Sequence, residues 1–192
     1  MKRRAFLFGV LALPLAGCLG AQPERPRATI APGVRLVLPP PDALGRSLRA
    51  VQIVIARHGP ESLALETHLE IGAGRLGVIG LDATGRRLVS IEWDGQELAA
   101  RAERLPAELR PENLLADMML VYFPITSLWI EADASHPARL TESPGRRTLV
   151  SEGRERIVLT YPATGERWNG KALVENRGFG YEIEIHSSLA QP

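Results

Sequence analysis

The sequence predicts a mostly β protein of the α+β class: a curved antiparallel half-barrel with two central helices closing its concave face. Three observations carry this expectation. Apolar and polar residues alternate with period two in several segments, the pattern of a sheet with one dry and one wet face. Turn signals separate those segments at hairpin spacing. One central stretch switches to helical spacing.

The chain opens on the sharpest signal. Lys2-Arg3-Arg4 is a positive n-region, and Ala5 to Pro14 is an apolar run too short to span a bilayer as a helix, which needs roughly 20 residues. Leu15-Ala16-Gly17-Cys18 follows and is similar to the bacterial lipobox. Residues 1–17 are therefore expected to be an export signal, with Cys18 the lipidated first residue of the mature protein. Arg3-Arg4 leaves the export route open between the general secretory and twin-arginine paths. Cys18 is the single cysteine, so no disulfide or thiolate site is expected once it is lipidated. What is known of lipoprotein sorting implies that Leu19, rather than Asp, after the lipidated residue favours the outer membrane, facing the periplasm.

Residues 18–33 hold three prolines and no apolar period, and are expected to be a tether. The folded domain is expected over 34–188, with 189–192 a tail. It starts with the brief alternation Val34 to Leu38. In the next strands the dry positions are read as Val51, Ile53 and Ile55; Leu63, Leu65, Thr67, Leu69 and Ile71; and Val89, Ile91 and Trp93. Pro111 stands at a first helical position, and Leu114, Leu115, Met118, Met119 and Tyr122 recur at helical spacing. Pro124 ends that helix, and Ile125 to Ala132 is expected to form a second, shorter one. Strands follow at Ile157-Leu159-Tyr161 and Tyr181-Ile183-Ile185.

Several function classes are disfavoured. Of 23 basic residues three belong to the leader, which leaves 20 against 22 acidic, a net −2. A nucleic-acid binder would need a basic stripe instead. Gly72-Ala73-Gly74-Arg75-Leu76-Gly77 spells a dinucleotide fingerprint, but β-like Val78-Ile79 follows where a helix is required, so a hairpin is expected. His58, His68, His136 and His186 lack ligand spacing, and no G-x-S-x-G elbow is present. Glu182 and Glu184 read as solvated charges on a wet strand face. No catalytic residue, metal or cofactor is expected, and the protein is read as a non-enzymatic monomer.

The runs Leu81 to Leu88, Trp93-Asp94-Gly95 and above all Leu105 to Asp117 resemble a family of bacterial lipoproteins, domain of unknown function 3261. The resemblance covers most of residues 35–187. It implies the fold of the periplasmic lipoprotein carriers and the outer-membrane lipoprotein receptor, and an association with gene clusters for aryl polyene lipids. A protruding loop with a large apolar tip, which the receptor inserts into the membrane, is not found. On this arrangement an apolar ligand (lipid, acyl or aryl polyene) would lie against the dry strand residues Ile53, Leu65, Leu69, Ile91 and Trp93 and the helical residues Leu115, Met119, Tyr122 and Trp129. Expected partners are the membrane, through the N-terminal lipid, and a periplasmic carrier protein. The alternative is an assembly accessory with a filled core that docks a partner protein.

Overall fold

Two antiparallel meanders meet in the computed structural model, which describes residues 25–72, 74–103, 110–135 and 137–190. The leader and Cys18 lie outside these residues, as do His136 and the 105–109 part of the family segment. The chain starts with a hairpin, β1 (Arg27–Ala31) and β2 (Val34–Val37). The first meander is β3 (Leu48–His58), β4 (Glu61–Gly72), β5 (Arg75–Leu81), β6 (Arg87–Trp93) and β7 (Leu98–Ala102). Then come α1 (Pro111–Tyr122) and β8 (Trp129–Ala132). The second meander is β9 (Ala138–Ser143), β10 (Arg146–Ser151), β11 (Arg154–Thr160), β12 (Gly170–Asn176) and β13 (Tyr181–Leu189). β13 returns to pair with β3 along nine residue pairs, fusing both meanders into one ten-stranded open sheet with edges β7 and β9. β1, β2 and β8 form a separate three-stranded sheet.

The small sheet and α1 share one hydrophobic core with a single face of the large sheet. Asn176 on β12 donates to the Ile30 carbonyl on β1, which ties the two sheets together. Enclosed by both, α1 is buried at every position from Leu115 to Tyr122, where an amphipathic surface helix would bury only a stripe. Pro111 and Pro124 bracket it, and the Phe123 amide still donates to the Met119 carbonyl. Its C-terminal carbonyls are met from outside the helix. Buried Arg147 donates to the Leu120 carbonyl at 2.6 Å, and Arg167 reaches the Val121 carbonyl.

Three expectations are corrected. The second central helix is absent among the described residues: Ile125–Ser127 is a 3-10 turn, and Trp129–Ala132 is a strand paired with β2. Leu36 lies opposite Ile130 and Arg35 opposite Glu131, so β2 supplies a template that outweighs local helical spacing. The folded unit also begins before residue 34, because β1 buries Ala28, Ile30 and Ala31. The third correction is the face of β3. Ala50, Gln52 and Ala56 are buried, while Ile53 is 42% exposed. The run Val51 to Ile55 is apolar on both faces but for Gln52, and a one-residue slip exchanges them. Gln52 decides it by donating to Ser187 inside the core at 3.1 Å.

The expected hairpin at 72–77 is found, with β5 starting at Arg75 where a dinucleotide site would need a helix. The family segments also acquire structural roles. Asp82 Oδ1 accepts the amides of Thr84 and Arg86 and the Thr84 hydroxyl, closing the β5–β6 turn. Trp93 is fully buried and donates its indole hydrogen to the Pro39 carbonyl at 2.8 Å. Gly95, at φ +93°, has Pro40 against the space a Cβ would fill, so this turn needs glycine on both counts.

Candidate functional site

The inner face of the large sheet meets the first half of α1 around a cavity of about 50 Å³. Strands β3, β4, β5, β6 and β13 build its floor with Val54, Leu65, Leu69, Val78, Val89, Ile91, Ile183 and Ile185. Leu114, Leu115, Asp117 and Met118 come down from α1. The walls are otherwise apolar except for Gln52 and Thr67, register partners on β3 and β4.

Four of the sequence-expected residues, Leu65, Leu69, Ile91 and Leu115, line this cavity. Trp93, Met119 and Tyr122 are buried in the same core but do not reach it. Tyr122 instead stacks on Trp168, ring centroids 4.0 Å apart. Two are misplaced: Ile53 lies on the opposite face of β3, and Trp129 is 69% exposed on the small sheet. For Trp129 the cause is again the strand, which turns Ile130 toward buried Leu36 and sends its neighbour outward.

Asp117 was not among the expected residues, yet it is the most unusual group in the site. It is 2% exposed, and the Tyr181 hydroxyl donates to its Oδ2 at 2.7 Å. Its Oδ1 has no hydrogen-bond partner. Burial raises the carboxyl to about 7, against the smaller opposing effect of the Tyr181 bond. Burial and the neighbouring Asp117 push the Tyr181 hydroxyl far above the phenol range, which keeps it a donor. The signal in the sequence was a lone acid inside the apolar run Leu114 to Val121. A buried carboxyl with a free oxygen beside a cavity is a mark of functional sites.

The two glutamates that the sequence singled out on β13 carry surface charges. Glu182 pairs with Arg57, and Glu184 accepts from Lys171 and lies 2.5 Å from His186 Nε2, on the outward face of β13. Among the described residues no group of three His, Cys, Asp or Glu could hold a metal ion. No described helix is long and apolar enough to cross a membrane.

Fold and site together define a mostly β protein with a large open antiparallel sheet, one covering helix and a small apolar cavity bearing a buried acid. Residues 49–189 match the family described as "Protein of unknown function (DUF3261)", and the chain belongs to that family. A search of curated proteins finds no match. Among solved structures, the chain has a TM-score of 0.35 with a LolA superfamily protein from Nitrosomonas europaea, at 10% identity, covering 79% of this chain and 92% of that one. A DUF1329 family protein from Desulfovibrio piger gives 0.35 at 8% identity, covering 77% and 87%.

Proposed function

We propose that the protein is a non-enzymatic, lipid-anchored periplasmic lipoprotein. It binds one apolar chain (lipid, acyl or aryl polyene) between its sheet and α1, and assists transfer or insertion of that chain at the outer membrane. The observation that supports this reading is the apolar cavity with an unsatisfied acid, a combination that a merely structural core avoids. At about 50 Å³ the cavity holds a water or two, well short of the roughly 300–1,000 Å³ of a ligand pocket, so a chain must displace Leu114 and Met118 to enter. Methionine suits that role, because its unbranched side chain repacks around differing shapes.

Native mass spectrometry of protein purified from its host tests the reading. A lipid adduct is expected, and the anchorless protein should take up added lipid saturably. Adduct-free protein that no lipid saturates would install the second reading, an assembly accessory with a filled core. The small cavity volume favours that alternative. Anchoring is tested separately. Cys18→Ala should move the protein from the outer-membrane fraction to the soluble periplasm, or leave it as a precursor. Unchanged fractionation would remove the anchor from the proposal.

A further inference from the structure

Apart from the Tyr181 hydroxyl, the inward faces of β4, β3 and β13 are apolar except at one level. There Thr67, Gln52 and Ser187 stand side by side as register partners, 7%, 4% and 4% exposed. Thr67 Oγ1 donates to the Gln52 carbonyl and Gln52 Nε2 to Ser187 Oγ. Two of these residues, Gln52 and Thr67, share the cavity with Asp117. The cavity therefore carries polar groups from the sheet, Gln52 and Thr67, and one from α1, Asp117, whose Oδ1 has no hydrogen-bond partner.

We propose that Asp117, on the cavity wall, recognises the hydroxyl of an uncharged lipid head, such as a glyceride or lipid alcohol, and discriminates against the carboxylate of a free fatty acid. The inference rests on the apolar-chain reading above and deepens it. A hydroxyl donates to Oδ1 when Asp117 is ionised, and accepts from it when the acid holds its proton, so it fits either state. A fatty carboxylate above neutral pH has no proton to offer and brings a second negative charge to a dry site. Tyr181, held protonated, already serves Oδ2, which leaves Oδ1 as the point of contact.

The test compares monolauroylglycerol with laurate, which share a chain length and differ in the head. Each is titrated into the mature chain carrying Cys18→Ala at about pH 8.5, followed by calorimetry and native mass spectrometry. Monolauroylglycerol is expected to bind about tenfold or more tighter, as one unsatisfied buried group would dictate. In Asp117→Asn the ratio should fall to within about threefold, because the like-charge repulsion is gone. Equal binding of both lipids to the wild type, or a ratio that Asp117→Asn leaves unchanged, overturns the head-group assignment while leaving chain binding intact. A resident water on Oδ1 would give that result. Failure of both lipids to bind overturns the carrier reading as well. Should Asp117→Asn not fold, carbon-13 detection of the Asp117 carboxyl in the unsubstituted protein decides. Laurate should raise its titration midpoint well above the value found with monolauroylglycerol, and equal midpoints with the two lipids overturn the assignment.

Discussion

Tyr181 on β13 donates its hydroxyl hydrogen to Asp117 on α1 across 2.7 Å, and both groups are buried. This bond pins the helix to the centre of the large sheet, because β13 joins the two meanders. It also leaves the helix carrying an acid whose second oxygen is bare.

Asp117 makes stability depend on pH in a direction opposite to that of most carboxylates. Its folded value is raised to about 7 from 3.8, so between those values the folded protein keeps a proton that the unfolded chain has lost. Its contribution is complete below about pH 4 and declines as pH rises toward 7, by an amount on the order of 2–4 kcal/mol. Asp117→Asn does not titrate. Urea denaturation across this range should show the variant gaining on the wild type as pH rises, with the gap constant above about pH 8. A gap independent of pH would mean that Asp117 is hydrated in solution.

Glu142 works the other way. Burial pushes its carboxyl up, but the Tyr161 hydroxyl at 2.7 Å, Arg167 at 2.5 Å and Arg147 at 3.1 Å donate to it and hold it at about 2. A lowered value stabilises the fold above the ordinary carboxylate range, and that stability is lost as pH falls toward 2. Glu142→Gln leaves Arg147, 1% exposed, with its charge uncompensated beneath the C-terminus of α1. A loss of about 2–3 kcal/mol at pH 7 is expected, fading at low pH. A loss below about 0.5 kcal/mol would show that solvent screens the pair as it does at a surface.

What the sequence made legible follows from how local each decision is. Helix α1 was readable to the residue because Pro111 and Pro124 bracket it. The hairpins were readable because glycine, asparagine-like acids and proline punctuate them. Period two also placed Leu65, Leu69, Ile91 and Trp93 inside, where polar neighbours mark the other face. β3 failed because Val51, Ile53 and Ile55 alternate with Gln52 and Val54, and only distant Ser187 resolves the choice. β1 and β8 failed for the same reason: each gains its strand character from β2, which no window around it contains. Asp117 was visible as an acid in an apolar run, but its meaning depends on Tyr181, 64 positions away.

Trp129 should dominate the solvent-accessible fluorescence. Trp93 and Trp168 are 0% and 2% exposed, against 69% for Trp129. Trp129→Phe is expected to remove most acrylamide-quenchable emission and to change stability by less than about 0.5 kcal/mol. Strong quenching that survives the substitution would place Trp93 or Trp168 at the surface and contradict the packing of β6 on Pro39 or of Trp168 on Tyr122.

Met118 offers the most direct test of the helix's orientation. It is 7% exposed and faces the cavity one residue from Asp117, with apolar walls around it. Met118→Glu would set a second carboxyl beside one that burial already raises, with no cation lining the cavity to pair with it. The new acid must either stay ionised at a cost of several kcal/mol or take up a proton. Its folded value is then raised, so the penalty should be small near pH 4 and grow as pH rises past neutral. A domain of this size loses roughly 2–4 °C of Tm per kcal/mol, so a fall of about 6–12 °C at pH 8 is expected for a penalty near 3 kcal/mol. Met118→Leu conserves volume and polarity, and should cost under about 1.5 kcal/mol at every pH. The lipid adduct should be lost in Met118→Glu and kept in Met118→Leu. If Met118→Glu melts with the wild type at pH 8 and retains its adduct, this side of α1 faces water and the cavity lies elsewhere.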